Sequence, residues 1–240
     1  MKSIKTLALV TGLMAICGVS QAQFSSTWTA VSDYDFRGVT QSGKDPALQA
    51  SADYAFGDSG FSMGAWASNI DFGNDEDIEV DLYANYVGKI NDTFSWTAGG
   101  TWYEYPSGDA QDGYPEVYVG FNAGDFSMKQ WYSWDYGAGG SDSFYTEANY
   151  TASITDNFNL AFHAGYFFGD APDALAELVG ESNGDVFDYA VQANYTAGSF
   201  TIFAKFTGTD ASGGLKVPDD VFNNEPRFLV GVTTTFPWSK

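Results

Sequence analysis

The segment Ile78-Glu79-Val80-Asp81-Leu82-Tyr83-Ala84-Asn85-Tyr86 decides the fold class. In an extended chain successive side chains point to opposite faces, so Ile78, Val80, Leu82, Ala84 and Tyr86 share one side and Glu79, Asp81, Tyr83 and Asn85 the other. This is a strand with one dry and one wet face. Leu48, Ala50, Ala52, Tyr54 and Phe56 against Gln49, Ser51 and Asp53 repeat the pattern, as do Phe158, Leu160, Phe162, Ala164, Tyr166 and Phe168 against Asn159, Ala161 and His163. The segment 61–71 is less regular, because Trp66 falls opposite Phe61, Met63, Ala65 and Ala67.

Working outward, the alternation predicts strands over 24–36, 46–56, 61–71, 77–88, 93–104, 114–122, 125–135, 143–154, 158–168, 186–196, 199–208 and 227–236. Most reach the roughly nine to eleven residues that a tilted strand needs to cross a bilayer. Short turns (57–60, 88–92, 122–124, 155–157 and 197–199) follow every second strand, while longer, more acidic connections such as 169–185 and 209–226 take the alternate places. Such asymmetry is that of periplasmic turns and extracellular loops, and it demands an even strand count with both ends on the periplasmic side. The expected fold is all-β, a transmembrane antiparallel β-barrel of about 12 strands.

Aromatic residues flank the short turns (Phe56 and Phe61, Tyr86 and Phe94, Phe121 and Phe126, Tyr195 and Phe200). Tyr34, Phe36, Trp102, Trp134, Tyr136, Phe144 and Phe187 stand at the opposite strand ends, so two interfacial girdles are expected. Aromatics also favour strands in soluble sandwiches, but a sandwich explains neither the turn asymmetry nor the paired bands. The last segment, with Phe228, Val230, Val232, Thr234 and Phe236 on one face, ends in an aromatic of the kind presented to the barrel assembly machinery, although Pro237-Trp238-Ser239-Lys240 follows it.

Lys2 and Lys5, the apolar run Leu7 to Val19 and the small-residue site Ser20-Gln21-Ala22 read as a Sec signal peptide cleaved near Ala22. The expected organisation is a signal peptide over 1–22 and an outer-membrane barrel over 23–240, in a Gram-negative envelope. Cys17 is the single cysteine and lies inside the signal segment, where Ile16 is too large for a good lipoprotein site, so no disulfide or lipid anchor is expected. The formal charge of −21 argues against nucleic-acid binding, which needs basic surface. Mean hydropathy of −0.20 looks soluble only because averaging cancels the two faces of each strand.

By the same alternation Asp33, Asp35, Arg37, Asp53, Glu79, Asp81, Glu116, Tyr118, Lys129, Glu147, His163, Asp188, Lys205 and Arg227 face the interior and are the candidate pore-lining residues. Charges of both signs on a lumen wall orient solutes or brace the barrel against itself. Acidic groups outnumber basic ones and there is no arginine ladder, so the expected activity is a narrow porin-like channel preferring cationic or neutral over anionic small solutes. A non-conducting barrel displaying acidic loops is the first alternative. A barrel enzyme using His163 is the second, and the absence of a Gly-x-Ser-x-Gly elbow counts against it. The run Asp71-Phe72-Gly73-Asn74-Asp75-Glu76-Asp77 lacks the EF-hand spacing and is expected to be a solvated loop, the lesser alternative being loose Ca²⁺ or Mg²⁺ bridging to lipopolysaccharide phosphates; no metal site and no cofactor are expected. The expected surroundings are outer-membrane lipid and lipopolysaccharide. Asp173 to Val179 is read as a short loop helix or an inward-folding lid.

Ser32 to Ser42, Trp66-Ala67-Ser68-Asn69-Ile70-Asp71-Phe72 and Glu79-Val80-Asp81-Leu82-Tyr83 resemble the TorF-type family of proteobacterial porin-like proteins over essentially the whole chain after the signal segment. The resemblance implies an outer-membrane location and a pore, without fixing a substrate. On the residues themselves, Asp33, Asp35 and Arg37 are expected on the inner face of the first strand, with Arg37 held by several of the carboxylates Asp33, Asp35, Glu79 and Asp81 near the loop-side mouth.

Overall fold

Alternating segments of this kind cannot bury both faces alone, and here each pairs with its neighbours until the sheet closes. The computed structural model describes residues 23–106, 113–178, 184–210, 222 and 224–238; the signal segment 1–22 lies outside them. The strands are β1 (Gln23–Val31), β2 (Asp35–Phe36), β3 (Val39–Thr40), β4 (Ala47–Ala55), β5 (Phe61–Asn69), β6 (Ile78–Lys89), β7 (Phe94–Glu104), β8 (Tyr114–Ala123), β9 (Phe126–Ser133), β10 (Ser143–Thr155), β11 (Phe158–Phe168), β12 (Val186–Ala197), β13 (Phe200–Thr209) and β14 (Arg227–Phe236). All except β2 and β3 form one closed antiparallel barrel in which β1 pairs with both β4 and β14. Closure leaves the barrel no open sheet edge.

The dry faces point outward. Leu82, Val119 and Phe228 are more than half exposed, whereas Glu116, Asp188 and Asn194 on the inner face are at most 2 % exposed. That inversion needs an apolar surrounding, since leaving a large apolar side chain in water forgoes about 1.5–3 kcal/mol. Rings gather at the short-turn rim, with Phe56 on Phe61 at 5.2 Å, Tyr86 on Trp96 at 5.2 Å and Phe121 on Phe126 at 5.9 Å. The tail adds to this rim: Trp238 stacks on Phe236 at 4.7 Å and donates to Thr234.

The first strand departs from expectation. Ser32 makes the last wall bond, its amide donating to the Val230 carbonyl at 2.9 Å, and the chain then turns into the lumen, where Asp33 to Gly38 line the interior. β2 and β3 form a small hairpin whose tip, Arg37 (φ 51°) and Gly38 (φ 80°), has two consecutive left-handed residues, as a type I′ turn requires. The alternation continues unbroken through Tyr34 and Phe36, so periodicity extends the strand past the point where the wall ends.

Tyr34 and Phe36, expected in the outer girdle, therefore lie inside, and Tyr136, also expected there, reaches the interior from the connection between β9 and β10. Tyr34 joins Val31, Ile70, Tyr103, Tyr105, Tyr114 and Leu229 in a buried cluster, with Phe36, Trp66 and Tyr136 packed against it. This loop-side core is the molecule's hydrophobic interior. The long connection 169–185 begins with α1 (Asp170–Leu178), which packs against β10 and β11 and starts three residues earlier than read from sequence; Val179 lies outside the described residues. Asp170 and Asp173 sit in its first turn, where the helix dipole favours negative charge.

Candidate functional site

The lumen is divided by the hairpin. The loop-side part is filled by the hairpin and the aromatic cluster, and a cavity of about 390 Å³ runs from the hairpin toward the short-turn end. The structure places every predicted interior residue inside the barrel, with Asp33, Asp35 and Arg37 on the hairpin rather than on the wall. Asp33, Asp35, Arg37, Asp53, Asp81, Glu147, His163, Asp188 and Lys205 line the cavity.

Arg37 has a different partner from the one expected. Its Nη2 donates to both oxygens of Glu116 on β8, at 2.7 and 3.0 Å, and not to Asp33, Asp35, Glu79 or Asp81. The hairpin carries Arg37 out across the lumen, away from β6, and Tyr103 completes the Glu116 site from β7 by donating at 2.9 Å. The guanidinium lies over the rings of Tyr145 (4.0 Å), Phe36 (4.6 Å) and Phe167 (5.8 Å), which cover its remaining N–H groups.

The hairpin carboxylates are held by the wall behind them. Arg227 Nε donates to Asp33 and Nη2 to Asp35, each at 2.5 Å, while Nη1 donates to the Gly38 carbonyl at 2.7 Å. Lys205 Nζ reaches Asp35 at 2.6 Å and Thr207 donates to the same oxygen at 3.2 Å. Burial alone would push the Asp35 carboxyl up, but Lys205 and Arg227 more than reverse this and hold it below its ordinary value. Thr40 donates to the other oxygen of Asp33, and Ser42 donates to the Asp45 carbonyl at 2.7 Å, fixing the hairpin's return arm.

A second network lies on the wall. Lys129 Nζ is 3.8 Å from Glu147, which also accepts from Trp131 Nε1 at 2.8 Å and Asn149 at 3.2 Å. His163 Nδ1 faces Asn149 Oδ1 at 2.7 Å and Nε2 faces Asp188 Oδ1 at 2.9 Å and the Tyr145 hydroxyl at 3.0 Å. The hydroxyl nearest His163 is thus a buried tyrosine that also donates to Asp188, not a serine poised for attack.

A family model described as "Bacterial protein of unknown function (Gcw_chp)" matches residues 16–236. The chain belongs to this family. No curated protein matches the sequence. Among solved structures it is similar to "KdgM porin", with a TM-score of 0.53 at 14% identity, covering 88% of this chain and 99% of that one. It is also similar to "NanC porin structure in rhombohedral crystal form", with a TM-score of 0.55 at 12% identity, covering 88% and 99%. At such identity the likeness is one of fold, so this Gcw_chp chain has a porin-like barrel.

Several lumenal residues of the Gcw_chp chain escaped the sequence reading. Trp66, Tyr103 and Tyr145 all line the cavity, although they read as aromatic strand residues of no particular role. Trp66 alone left a trace, as the break in alternation on β5. Asp81 stands between Trp66 on β5 and Tyr103 on β7 in register. Tyr83 reaches across Gly64 to donate to Asp53, and a side-chain carbon on Gly64 would meet the Tyr83 ring at 2.7 Å. In the run 71–77, Asp71 and Asn74 accept from backbone amides and Glu76 is buried rather than solvated. Among the described residues no group of three or more acidic, histidine or cysteine side chains is arranged to hold a metal.

Proposed function

We propose that this protein is an outer-membrane channel for small solutes, narrowed at its loop-side end, that favours cationic and neutral over anionic solutes. One observation carries the reading. The interior cations Arg37, Lys129, Lys205 and Arg227 are all matched by carboxylates, while Asp53, Glu79 and Asp81 on β4 and β6 have no cationic partner among the described residues. Asp53 and Asp81 therefore face a solute on one side of the cavity with no cation among the described residues beside them and Glu79 behind, while the positive charge on the other side is already matched. Low dielectric around the lumen strengthens such a field.

The reading includes Sec export, contact with lipid and lipopolysaccharide, delivery by the barrel assembly machinery of a Gram-negative cell, and the TorF-type resemblance. It is supported by the outward apolar faces, the aromatic rim at the short turns and the porin-like fold. Planar-bilayer recording under a salt gradient tests it: a reversal potential toward the cation equilibrium is expected, and anion selectivity overturns the preference.

The second reading is a non-conducting barrel, favoured by the hairpin that fills the loop-side lumen. Absence of conductance in a preparation whose gel mobility still shifts on boiling would select it. For catalysis by His163 the structure offers a braced wall residue, and an activity lost in His163→Ala with the barrel intact would be the opposing result.

A further inference from the structure

The inward face of β6 carries polar groups that the protein itself leaves unmet. Glu79 and Asn85 are 4 % and 2 % exposed, yet Glu79 Oε2 and Asn85 Nδ2 have no hydrogen-bond partner, and neither has Asp81 Oδ1 between them. Buried polar atoms without partners are rare because each costs about 1–3 kcal/mol. Of the inward residues 79, 81, 83 and 85, Tyr83 is satisfied through Asp53, while Glu79 and Asn85 are met on one atom only, accepting from Tyr105 and Tyr118. Other unpartnered buried atoms are spread over Arg37 on the hairpin, Glu76 in the 71–77 loop, and Ser25, Ser143 and Asp188 on three wall strands, but among the described residues β6 is the wall strand that carries three.

This inward strip of β6 has a definite chemistry. Asp81 lines the cavity with inward aromatic neighbours in register on both sides, Trp66 on β5 and Tyr103 on β7. Asp53 and Tyr83 lie on the same cavity wall toward the short-turn end. A carboxylate with aromatic side chains on both neighbouring strands suits an organic ammonium group, which donates a charge-assisted hydrogen bond to the carboxylate in an aromatic surrounding favourable to a cation. A small anion meets only repulsion there. A bare inorganic cation would need more ligands than this strip offers.

Resting on the channel reading above, we propose that Asp81, between Trp66 and Tyr103, is a binding station for the ammonium group of a small amine solute. Glu79, about 7 Å along the strand on the same face, adds negative field from behind the cavity wall. The channel's preferred cargo is thus an organic cation rather than cations in general.

The test uses the intact barrel in detergent micelles at fixed ionic strength, titrated calorimetrically with ethanolamine hydrochloride, with ethylene glycol as the uncharged comparison. Saturable binding of the amine alone is expected, weakened about tenfold or more in Asp81→Asn and retained in Asp81→Glu. The boiling-dependent gel shift verifies that each variant is folded. Absence of saturable amine binding, equal binding of ethylene glycol, or undiminished binding by folded Asp81→Asn overturns the proposal. So does tighter binding of Mg²⁺ at the same residues, which would make the strip a metal site. Bilayer recording on the same preparation separates the two readings: conductance without amine binding leaves the channel and removes the station, and amine binding without conductance does the reverse.

Discussion

Arg37 and Glu116 span the lumen: Arg37 sits at the tip of a hairpin rooted between β1 and β4, and Glu116 lies on β8, five strands round the barrel from β1, with 2.7 Å between Nη2 and Oε2. Both are buried, at 10% and 1% side-chain exposure. Removing one member of a buried pair strands the other and costs about 3–5 kcal/mol locally. The hairpin is joined to the far wall mainly by side chains, so this cost falls on its inward position rather than on the barrel ladder. Arg37→Ala is expected to raise single-channel conductance while the gel shift on boiling persists. Unchanged conductance together with an unchanged unfolding midpoint would show that the pair does not hold the constriction.

Gly38 offers a way to displace the same hairpin without touching a charge. Its φ of +80° is left-handed, and a side-chain carbon there would meet the Gly208 carbonyl at 3.0 Å and Asp188 Cβ at 3.1 Å. Gly38→Val is expected to push the hairpin off β12 and β13 and to raise conductance as Arg37→Ala does. A protease site placed in the hairpin should become cleavable in both variants and stay protected in the parent. Continued protection in Gly38→Val would place the gap elsewhere.

The contrast between the hairpin and the wall explains what periodicity can read. From β4 to β14 the expected barrel strands and the observed ones agree to within two residues at each end, because a two-faced barrel forces every residue to declare its side. The same rule places Glu116, Lys129, His163 and Lys205 inside. It fails at Ser32, where the chain leaves the wall but keeps alternating, so Asp33 and Arg37 stay grouped while their partners change. Partner choice depends on where the Arg37-Gly38 turn points the tip, a three-dimensional fact with no period. Arg37-Gly38 was the available trace, since a glycine just past an apparent strand marks a turn or close approach. Aromatic lumen residues such as Tyr103 and Tyr145 stayed hidden because rings serve equally on either face of such a barrel.

Asp35 sets the acid limit of the latch. Its carboxyl titrates below the ordinary value in the folded protein, so its contribution to stability is complete above the usual carboxylate range, near pH about 4. That contribution is lost only as pH falls through the lower folded value. Conductance and hairpin protection are therefore expected to stay constant from neutral pH to about pH 5 and to change below the ordinary carboxylate range. Asp35→Asn should show the open behaviour already at neutral pH, with a shallower acid response. A latch that opened between pH 7 and 5 would assign the switch to another group.

Gly64 and Tyr83 give the sharpest check on the β4 to β6 wall. The missing side chain at Gly64 lets Tyr83 lie across β5 and donate to Asp53, with Ser51 donating to the other Asp53 oxygen at 2.7 Å. An added methyl would meet only the far end of the Tyr83 ring, which can swing away, so Gly64→Ala is expected to break that bond without opening the barrel. Tyr83→Phe removes the hydroxyl and leaves the ring in place. Both should free an Asp53 oxygen toward the cavity, increase cation selectivity in reversal-potential measurements, and lower stability by about 1–2 kcal/mol. Because the two changes act through one bond, the double variant should shift selectivity no further than either alone. Additive shifts would mean that Gly64 and Tyr83 act on the lumen separately, and that Asp53 is not held in check by Tyr83.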